Sequence, residues 1–138
     1  MRKSTTISLT VLFCLTSSVV LSETMDDLVI TSGLYYKKFT DVPFTGKITG
    51  KEQGELRNGV KQGLWSSYNK KAQLLDKGSY SNGVEEGFWS YYYDNGQVAA
   101  KGKYKNGHWE GTWISFHPTG MLSKEETGTY KDGKKVAD

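Results

Sequence analysis

Hydrophobic residues after position 62 of this chain recur with a spacing of 24 positions. Tryptophans lie at positions 65, 89 and 113, and a glycine stands two positions before each of them. The three segments are Gly63-Leu64-Trp65, Gly87-Phe88-Trp89 and Gly111-Thr112-Trp113. A repeat of this length is typical of a solenoid or array, in which each unit contacts mainly its neighbours.

Each repeat also contains a glycine-bearing turn pair. Asn-Gly and Asp-Gly between apolar strands are strong hairpin signals, because both turn positions need positive φ. The pairs are Asn58-Gly59, Asn82-Gly83, Asn106-Gly107 and Asp132-Gly133, and Asn95-Gly96 and Thr119-Gly120 supply turns at the opposite strand ends. Two turns per repeat leave two strands of about seven to nine residues. The pattern therefore predicts an all-β antiparallel meander that adds one hairpin per repeat.

The alternation of side chains along a strand predicts how the rings are distributed. Each tryptophan shares a face with the glycine before it, whereas the aromatic three positions later, Tyr68, Tyr92 or Phe116, lies on the other face. Aromatics on both faces favour an elongated, single-layer sheet in which rings of adjacent repeats form ladders instead of an aliphatic core. Tyrosines of the Gly-x-Tyr elements belong to this framework: Tyr80, Tyr104 and Tyr130.

The glycine before each tryptophan has an expected steric role. A ring that lies across a neighbouring strand needs a position without a Cβ beneath it, and glycine inside a strand often marks such an approach. We expect Gly63, Gly87 and Gly111 to be these positions.

The sequence divides into three predicted parts. Residues 1–22 form a signal peptide, residues 23–33 are a linker or an edge segment, and residues 34–138 form the repeat domain. The modules lie near 34–53, 54–77, 78–101 and 102–127, followed by a half-module at 128–138. In the first module, Thr45-Gly46-Lys47-Ile48 is a degenerate Gly-x-Trp element with Ile48 at the tryptophan position.

The opening segment predicts export. A basic head with Arg2 and Lys3 precedes an uncharged apolar run from Ile7 to Leu21, and small residues allow cleavage near Ser22. The run is shorter than the roughly 20 residues of a spanning helix, which favours cleavage over a retained anchor. We expect a periplasmic or secreted protein that meets the membrane only transiently, through this peptide.

Cysteine usage and charge exclude several functions. The sole cysteine, Cys14, follows Phe13 instead of a small residue, so lipidation is not expected, and the mature chain would have neither disulfides nor thiol chemistry. Loss of Arg2 and Lys3 from 18 basic residues leaves 16 against 15 acidic ones, a net charge of +1. This balance lacks the concentrated positive field of a nucleic-acid binder.

No residue pattern predicts catalysis, a metal site or a cofactor. The histidines His108 and His117 have no partners at ligand spacing, and the serines Ser90 and Ser115 have no nearby base. Adjacent carboxylates point to opposite faces of a strand, so Glu85-Glu86 and Glu125-Glu126 are interpreted as solvated turn charges.

The repeated motifs resemble the bacterial variant of the MORN repeat. The closest matches are Gly102-Lys103-Tyr104-Lys105-Asn106-Gly107 and Asp94-Asn95-Gly96-Gln97-Val98, and Pro43-Phe44-Thr45-Gly46-Lys47 resembles the start of many such proteins. The resemblance covers about residues 35–133 and implies a curved, elongated β-meander. It also implies either a YwqK-type antitoxin or a scaffold that binds protein or lipid. Lys70-Lys71-Ala72 and Pro118-Thr119-Gly120 depart from the turn pattern.

Two binding functions remain open at this stage. The first is an exported interaction scaffold, such as an antitoxin-like or immunity-like partner of another protein. The second is a module for envelope glycan, choline or a lipid headgroup, because Trp89-Ser90-Tyr91-Tyr92-Tyr93 resembles aromatic cell-wall-binding repeats. The candidate stacking residues are Trp65, Tyr68, Trp89, Tyr92, Trp113 and Phe116. A third interpretation makes these rings purely internal.

Overall fold

The computed structural model describes residues 22–138, so the predicted signal peptide lies outside the described residues except for Ser22. The described part is nearly all β-structure, with one short 3-10 turn at Met25–Asp27. No helix within it has the length and apolarity to cross a membrane. The strands are β1 (Ser22–Thr24), β2 (Leu28–Thr31), β3 (Leu34–Lys37), β4 (Gly46–Thr49), β5 (Glu52–Arg57), β6 (Val60–Tyr68), β7 (Leu74–Ser81), β8 (Val84–Tyr92), β9 (Val98–Lys105), β10 (His108–Ser115), β11 (Gly128–Lys131) and β12 (Lys134–Ala137).

Ten of these strands form one sheet. Strands β4 to β12 follow one another in chain order as antiparallel neighbours, and β1 pairs with β4 in parallel at the edge. The remaining strands, β2 and β3, form a separate two-stranded sheet. The predicted all-β meander built from hairpin repeats is therefore confirmed.

The Asn-Gly turns adopt the predicted backbone conformation. In the β7–β8 turn, Asn82 has φ 51° and Gly83 has φ 83°, and the other turns of this type have similar values. The N–H of Gly83 donates to the carbonyl of Lys61 in the preceding repeat at 2.8 Å. Corresponding bonds join Gly107 to Glu85 and Gly133 to Trp109, both at 3.0 Å. The turns thus bind successive repeats to each other as well as reversing the chain.

Each repeat contains a bulge, and this bulge changes the role predicted for the glycine that precedes the tryptophan. Ser79 pairs with Glu86 and Lys77 pairs with Ser90, so residues 87–89 all oppose Gly78 alone. Gly87 has φ 75° and open space where a Cβ would lie, whereas a Cβ on Gly78 would approach Trp89 ring carbons at 2.0 Å. The expectation that Gly87 lies beneath a ring is therefore wrong.

The same correction applies in every repeat. Gly63 and Gly111 also have positive φ and nothing within 4 Å, while Gly54 and Gly102 lie beneath Trp65 and Trp113. The glycine before each tryptophan permits the bulge that turns the indole over the neighbouring strand. The glycine on that neighbouring strand provides the space for it.

The first module keeps this register despite its different residues. Ile48 pairs with Gly54, as Trp65 pairs with Gly78 in the following repeat. Ile48 is 2% exposed. The prediction that Ile48 occupies the tryptophan position is confirmed. Leu56, which pairs with Gly46, occupies the position that Tyr80 has in the next repeat.

A small hydrophobic cluster closes the amino-terminal end of the ring-bearing face. Its buried members are Leu28, Phe44, Ile48, Leu56 and Trp65. The β2–β3 hairpin reaches this cluster and is held by main-chain bonds, since Tyr35 N–H donates to the Gly59 carbonyl at 2.9 Å. The hairpin covers a sheet end that would otherwise expose apolar side chains.

A double-mutant comparison tests the role of the glycine beneath the ring. Gly78→Ala should lower the free energy of unfolding by about 1–3 kcal/mol, because the new Cβ overlaps the Trp89 indole. In a Trp89→Leu background the same change should cost much less, because the indole is gone. Urea denaturation of the four proteins measures this coupling.

Gly87→Ala is the matched control. Its cost of about 1–2 kcal/mol comes from positive φ alone, so it should be the same in both backgrounds. Equal costs for Gly78→Ala in both backgrounds would contradict the steric account.

Candidate functional site

The indoles and tyrosines of successive repeats form one continuous ladder. Trp65 contacts Tyr80 at a centroid distance of 6.1 Å, and Tyr80 contacts Trp89 at 5.2 Å, both edge to face. Tyr104 continues the series, at 5.8 Å from Trp89 and 5.3 Å from Trp113. Edge-to-face geometry is favourable because the positive ring edge meets the negative ring face. The predicted ladder is confirmed, and the side of the sheet that carries it is called the ladder face.

The tryptophans of the three Gly-x-Trp segments are fixed inside the ladder. Each indole N–H donates to a main-chain carbonyl on the strand that it covers: Trp65 to Glu55 at 3.2 Å, Trp89 to Ser79 at 3.1 Å and Trp113 to Lys103 at 2.9 Å. The tryptophans are 4%, 4% and 0% exposed, respectively. Half of the candidate stacking residues are therefore structural and offer no free ring face to a ligand.

The two ends of the ladder are covered differently. Near the amino-terminal end, Lys61 Nζ lies 4.3 Å from the Trp65 ring centroid and forms an ion pair with Glu52 at 2.8 Å. At the other end, Trp109 stacks on Trp113 at 3.8 Å with the planes 5° apart. Trp109 occupies the repeat position of Lys61, 48 residues further along the chain.

Two half-buried tyrosine hydroxyls on the ladder face are held in the neutral form. Burial raises the pKa of Tyr91 far above its usual value, and the hydrogen bond between the Tyr91 and Tyr104 hydroxyls, 3.0 Å long, raises it further. Burial also raises the pKa of Tyr80, with the nearby carboxylates of Glu85, Asp76 and Glu52 adding to the effect. These phenols stay protonated across the physiological pH range.

The opposite side of the sheet, called the open face, exposes apolar side chains. Leu64 is 81% exposed and Phe88 is 73% exposed, each at the middle position of a Gly-x-Trp segment. Between them lies a groove of about 630 Å³. Its lining is Leu64, Trp65, Ser66, Tyr68, Leu74, Lys77, Gly78, Phe88 and Ser90.

Lysines line the open face beside these apolar side chains. Lys77 pairs with both Ser66 and Ser90, and Lys101 also pairs with Ser90. Lys103 pairs with Phe88, and its Nζ lies 4.5 Å from that ring centroid. Among residues 22–138, no carboxylate forms an ion pair with Lys77, Lys101 or Lys103. The charges of these lysines therefore face solvent.

Nearby carboxylates are engaged elsewhere. Glu86 Oε2 accepts a hydrogen bond from the main-chain N–H of Asn106 at 3.0 Å, and Glu110 Oε2 accepts one from Asp132 at 3.1 Å. Gln62 Oε1 accepts the equivalent bond from Asn82 at 2.8 Å. The interpretation of Glu86 as a solvated turn charge is thus wrong, since its carboxylate holds the turn of the next repeat.

The remaining candidate residues lie in different repeats. Tyr68 lines the groove, and its hydroxyl lies 3.3 Å from Ser66 Oγ. Tyr92 and Phe116 are half-buried in the two following repeats and do not line it. Sequence reasoning missed Leu64 and Phe88, although an apolar residue between glycine and an inward-facing tryptophan is a signal for an outward apolar side chain.

Among the described residues, the side chains that could bind a metal or act in catalysis do not come together in a site. Within the part of the chain that the structure describes, no three His, Cys, Asp or Glu side chains are placed to hold a metal ion. Ser115 is 0% exposed, and its Oγ has no hydrogen-bond partner among the described residues. The open-face groove is therefore the best candidate for a functional site.

Comparison with known proteins supports this description of a β-hairpin repeat protein. The family model of the MORN repeat variant matches residues 85–106 and 109–132. These matches support the prediction that the chain is a MORN-variant repeat protein. A search of curated proteins finds no match to the sequence.

A pair of substitutions distinguishes ladder residues from open-face residues. Trp113→Ala should lower the free energy of unfolding by about 3–5 kcal/mol, because it removes a fully buried ring. Phe88→Ala should change it by no more than about 0.5 kcal/mol, because Phe88 is 73% exposed. Chemical denaturation measures both, and similar losses would contradict the division into two faces.

Alkaline titration tests the raised pKa values of the half-buried phenols of Tyr80 and Tyr91. An unfolded tyrosine ionises near pH 10, while Tyr80 and Tyr91 have higher pKa values when folded. Their contribution to stability is therefore fully present below about pH 10 and is lost as the pH rises above it. Tyr91→Phe should reduce this alkaline loss in urea denaturation. An unchanged pH dependence in the variant would contradict the assignment.

Proposed function

We propose that this protein is an exported, non-catalytic interaction scaffold that binds another protein through its open face. MORN-variant repeats indicate a repeat-containing binding module. The observation that carries the proposal is the exposure of Leu64 and Phe88 beside a groove, on a sheet whose tryptophans at positions 65, 89 and 113 are buried. Exposed apolar side chains clustered with polar neighbours mark interaction sites.

The structure of the ladder suits a scaffold. Its rings, main-chain carbonyl bonds and turn contacts connect each repeat to the next, so the open face is presented on a preorganised surface. Preorganisation favours binding because little conformational entropy is lost on association. Side chains such as Leu64 and Phe88 can then act as anchors surrounded by a polar rim.

Export is proposed from the opening segment. Arg2 and Lys3 before the apolar run Ile7 to Leu21 have the arrangement of a signal peptide. The partner would then lie in the periplasm or outside the cell, and an antitoxin-like or immunity-like role would act there. Cleavage near Ser22 would leave Glu23 and Thr24 to pair with Ile48 and Thr49.

A second candidate is a glycan-binding envelope module. One observation favours it: the Tyr68 ring and the hydroxyls of Ser66 and Ser90 line the same groove. Sugars stack on aromatic rings and bind hydroxyl groups. The burial of Trp65, which also lines the groove, makes this candidate weaker than protein binding.

Site-specific photo-cross-linking in the producing cells tests the scaffold function. A benzoyl-phenylalanine at position 88 should give a discrete adduct with another protein, and Leu64→Ser in the same chain should reduce its yield. Position 39 is the matched control, because Phe39 is also exposed, at 104%, but lies outside the groove. The intact mass of the exported product also shows whether the chain begins after Ser22.

Equal adducts from positions 39 and 88, or none from position 88, would overturn the scaffold function. Retention on purified peptidoglycan that is lost in Tyr68→Ala, without any protein adduct, would favour the glycan-binding module instead.

A further inference from the structure

We propose that the open face recognises an acidic polypeptide segment that also carries apolar side chains. This inference rests on the proposed function and specifies the chemistry of the partner. The recognised segment places carboxylates on Lys77, Lys101 and Lys103 and an apolar side chain in the groove between Leu64 and Phe88.

The open face carries lysines that form no ion pair among residues 22–138. On the open face, Lys101 and Lys103 project from β9 and Lys77 projects from β7, and the nearby carboxylates of Glu86 and Glu110 are bonded to turn N–H groups. On the ladder face, the carboxylates of Glu52, Asp76 and Glu85 lie near Tyr80, and Lys61 forms an ion pair with Glu52. The predicted mature chain has a net charge of only +1, so the positive character around Lys77, Lys101 and Lys103 is a local feature.

The apolar and cationic groups of the open face are interleaved. Phe88 pairs with Lys103, and the lysine ammonium lies over the ring. Lys77 pairs with both Ser66 and Ser90, and all three residues line the groove. A partner that fits this pattern needs carboxylates and apolar groups at short spacing along one chain. Acidic polypeptides that contain leucine or phenylalanine meet this requirement.

The shape of the site favours a polypeptide over a membrane. The groove of about 630 Å³ is a concavity that can enclose a side chain. A flat lipid surface would meet Leu64, Phe88 and the lysines but would leave the concavity empty. Ser66 and Ser90 also supply hydroxyls that can bind peptide groups of an extended chain.

Fluorescence anisotropy with the full mature chain tests this inference. The probe is a labelled peptide of about ten residues, the length of a long strand, composed of glutamate, leucine and phenylalanine. We expect saturable binding that weakens with added salt, because exposed charges are screened. A peptide with lysine in place of glutamate should not bind, and one with serine in place of the apolar residues should bind more weakly.

Two variants of equal charge locate the binding site. Lys101→Glu/Lys103→Glu should weaken binding at least about tenfold, since like charges then face each other. Lys70→Glu/Lys71→Glu should leave affinity within about twofold, since these lysines line other parts of the surface and the remaining effect is long-range and screened. Circular dichroism confirms that both variants remain folded.

Several outcomes would overturn the inference. They are equal weakening by both variants, binding of the lysine peptide, or binding to mixed phosphatidylglycerol and phosphatidylcholine vesicles without binding to the acidic peptide. A protein adduct at position 88 together with no peptide binding would keep the scaffold function and reject only the acidic partner. Loss of both results would reject the scaffold function as well.

Discussion

The structure depends on one contact that is made in every full repeat, in which an indole lies flat over a glycine of the neighbouring strand. The contact needs two glycines, and each has a different structural role. One, such as Gly87, takes positive φ and lets the strand bulge, and the other, such as Gly78, leaves room for the ring. The indole N–H then binds the carbonyl beside that second glycine, as in Trp89 and Ser79. Packing and hydrogen bonding are therefore satisfied by the same side chain.

This contact separates the sheet into faces with different properties. Because each bulge directs a tryptophan to one side, the residue before it, Leu64 or Phe88, is directed to the other. The tryptophan rings that stabilise the protein are buried in the contacts of the ladder. The groove left for recognition is consequently lined by the apolar side chains of Leu64 and Phe88, together with Tyr68, serines and a lysine. Stability and recognition can change separately, since they use alternate positions of the same strands.

The repeat spacing was sufficient to predict the meander, the Asn-Gly turns and the position of Ile48. These features follow from the backbone conformation that Asn-Gly turns require and from the constant repeat length, which gives neighbouring repeats the same strand pairing. The role of Gly87 could not be predicted by counting alternate residues, because the bulge places three residues opposite one and breaks that count. The exposure of Leu64 and Phe88, by contrast, follows from alternation once the tryptophan beside each of them is known to face inward.

Features of the ends also escaped prediction. The docking of the β2–β3 hairpin onto the cluster around Leu56 is a contact between distant segments, and no repeated pattern signals it. The stacking of Trp109 on Trp113 likewise depends on where the array ends, since the equivalent residue is Glu85 in one repeat and Lys61 in another.

This variability at positions 61, 85 and 109 has a consequence for how such a protein can diversify. An ammonium, a carboxylate and an indole each occupy the position while the surrounding strand register is preserved. The position therefore accepts side chains of different charge and size without a change in the backbone pairing. New chemistry can therefore be introduced at this position of a single repeat while the strand pairing of the array is kept.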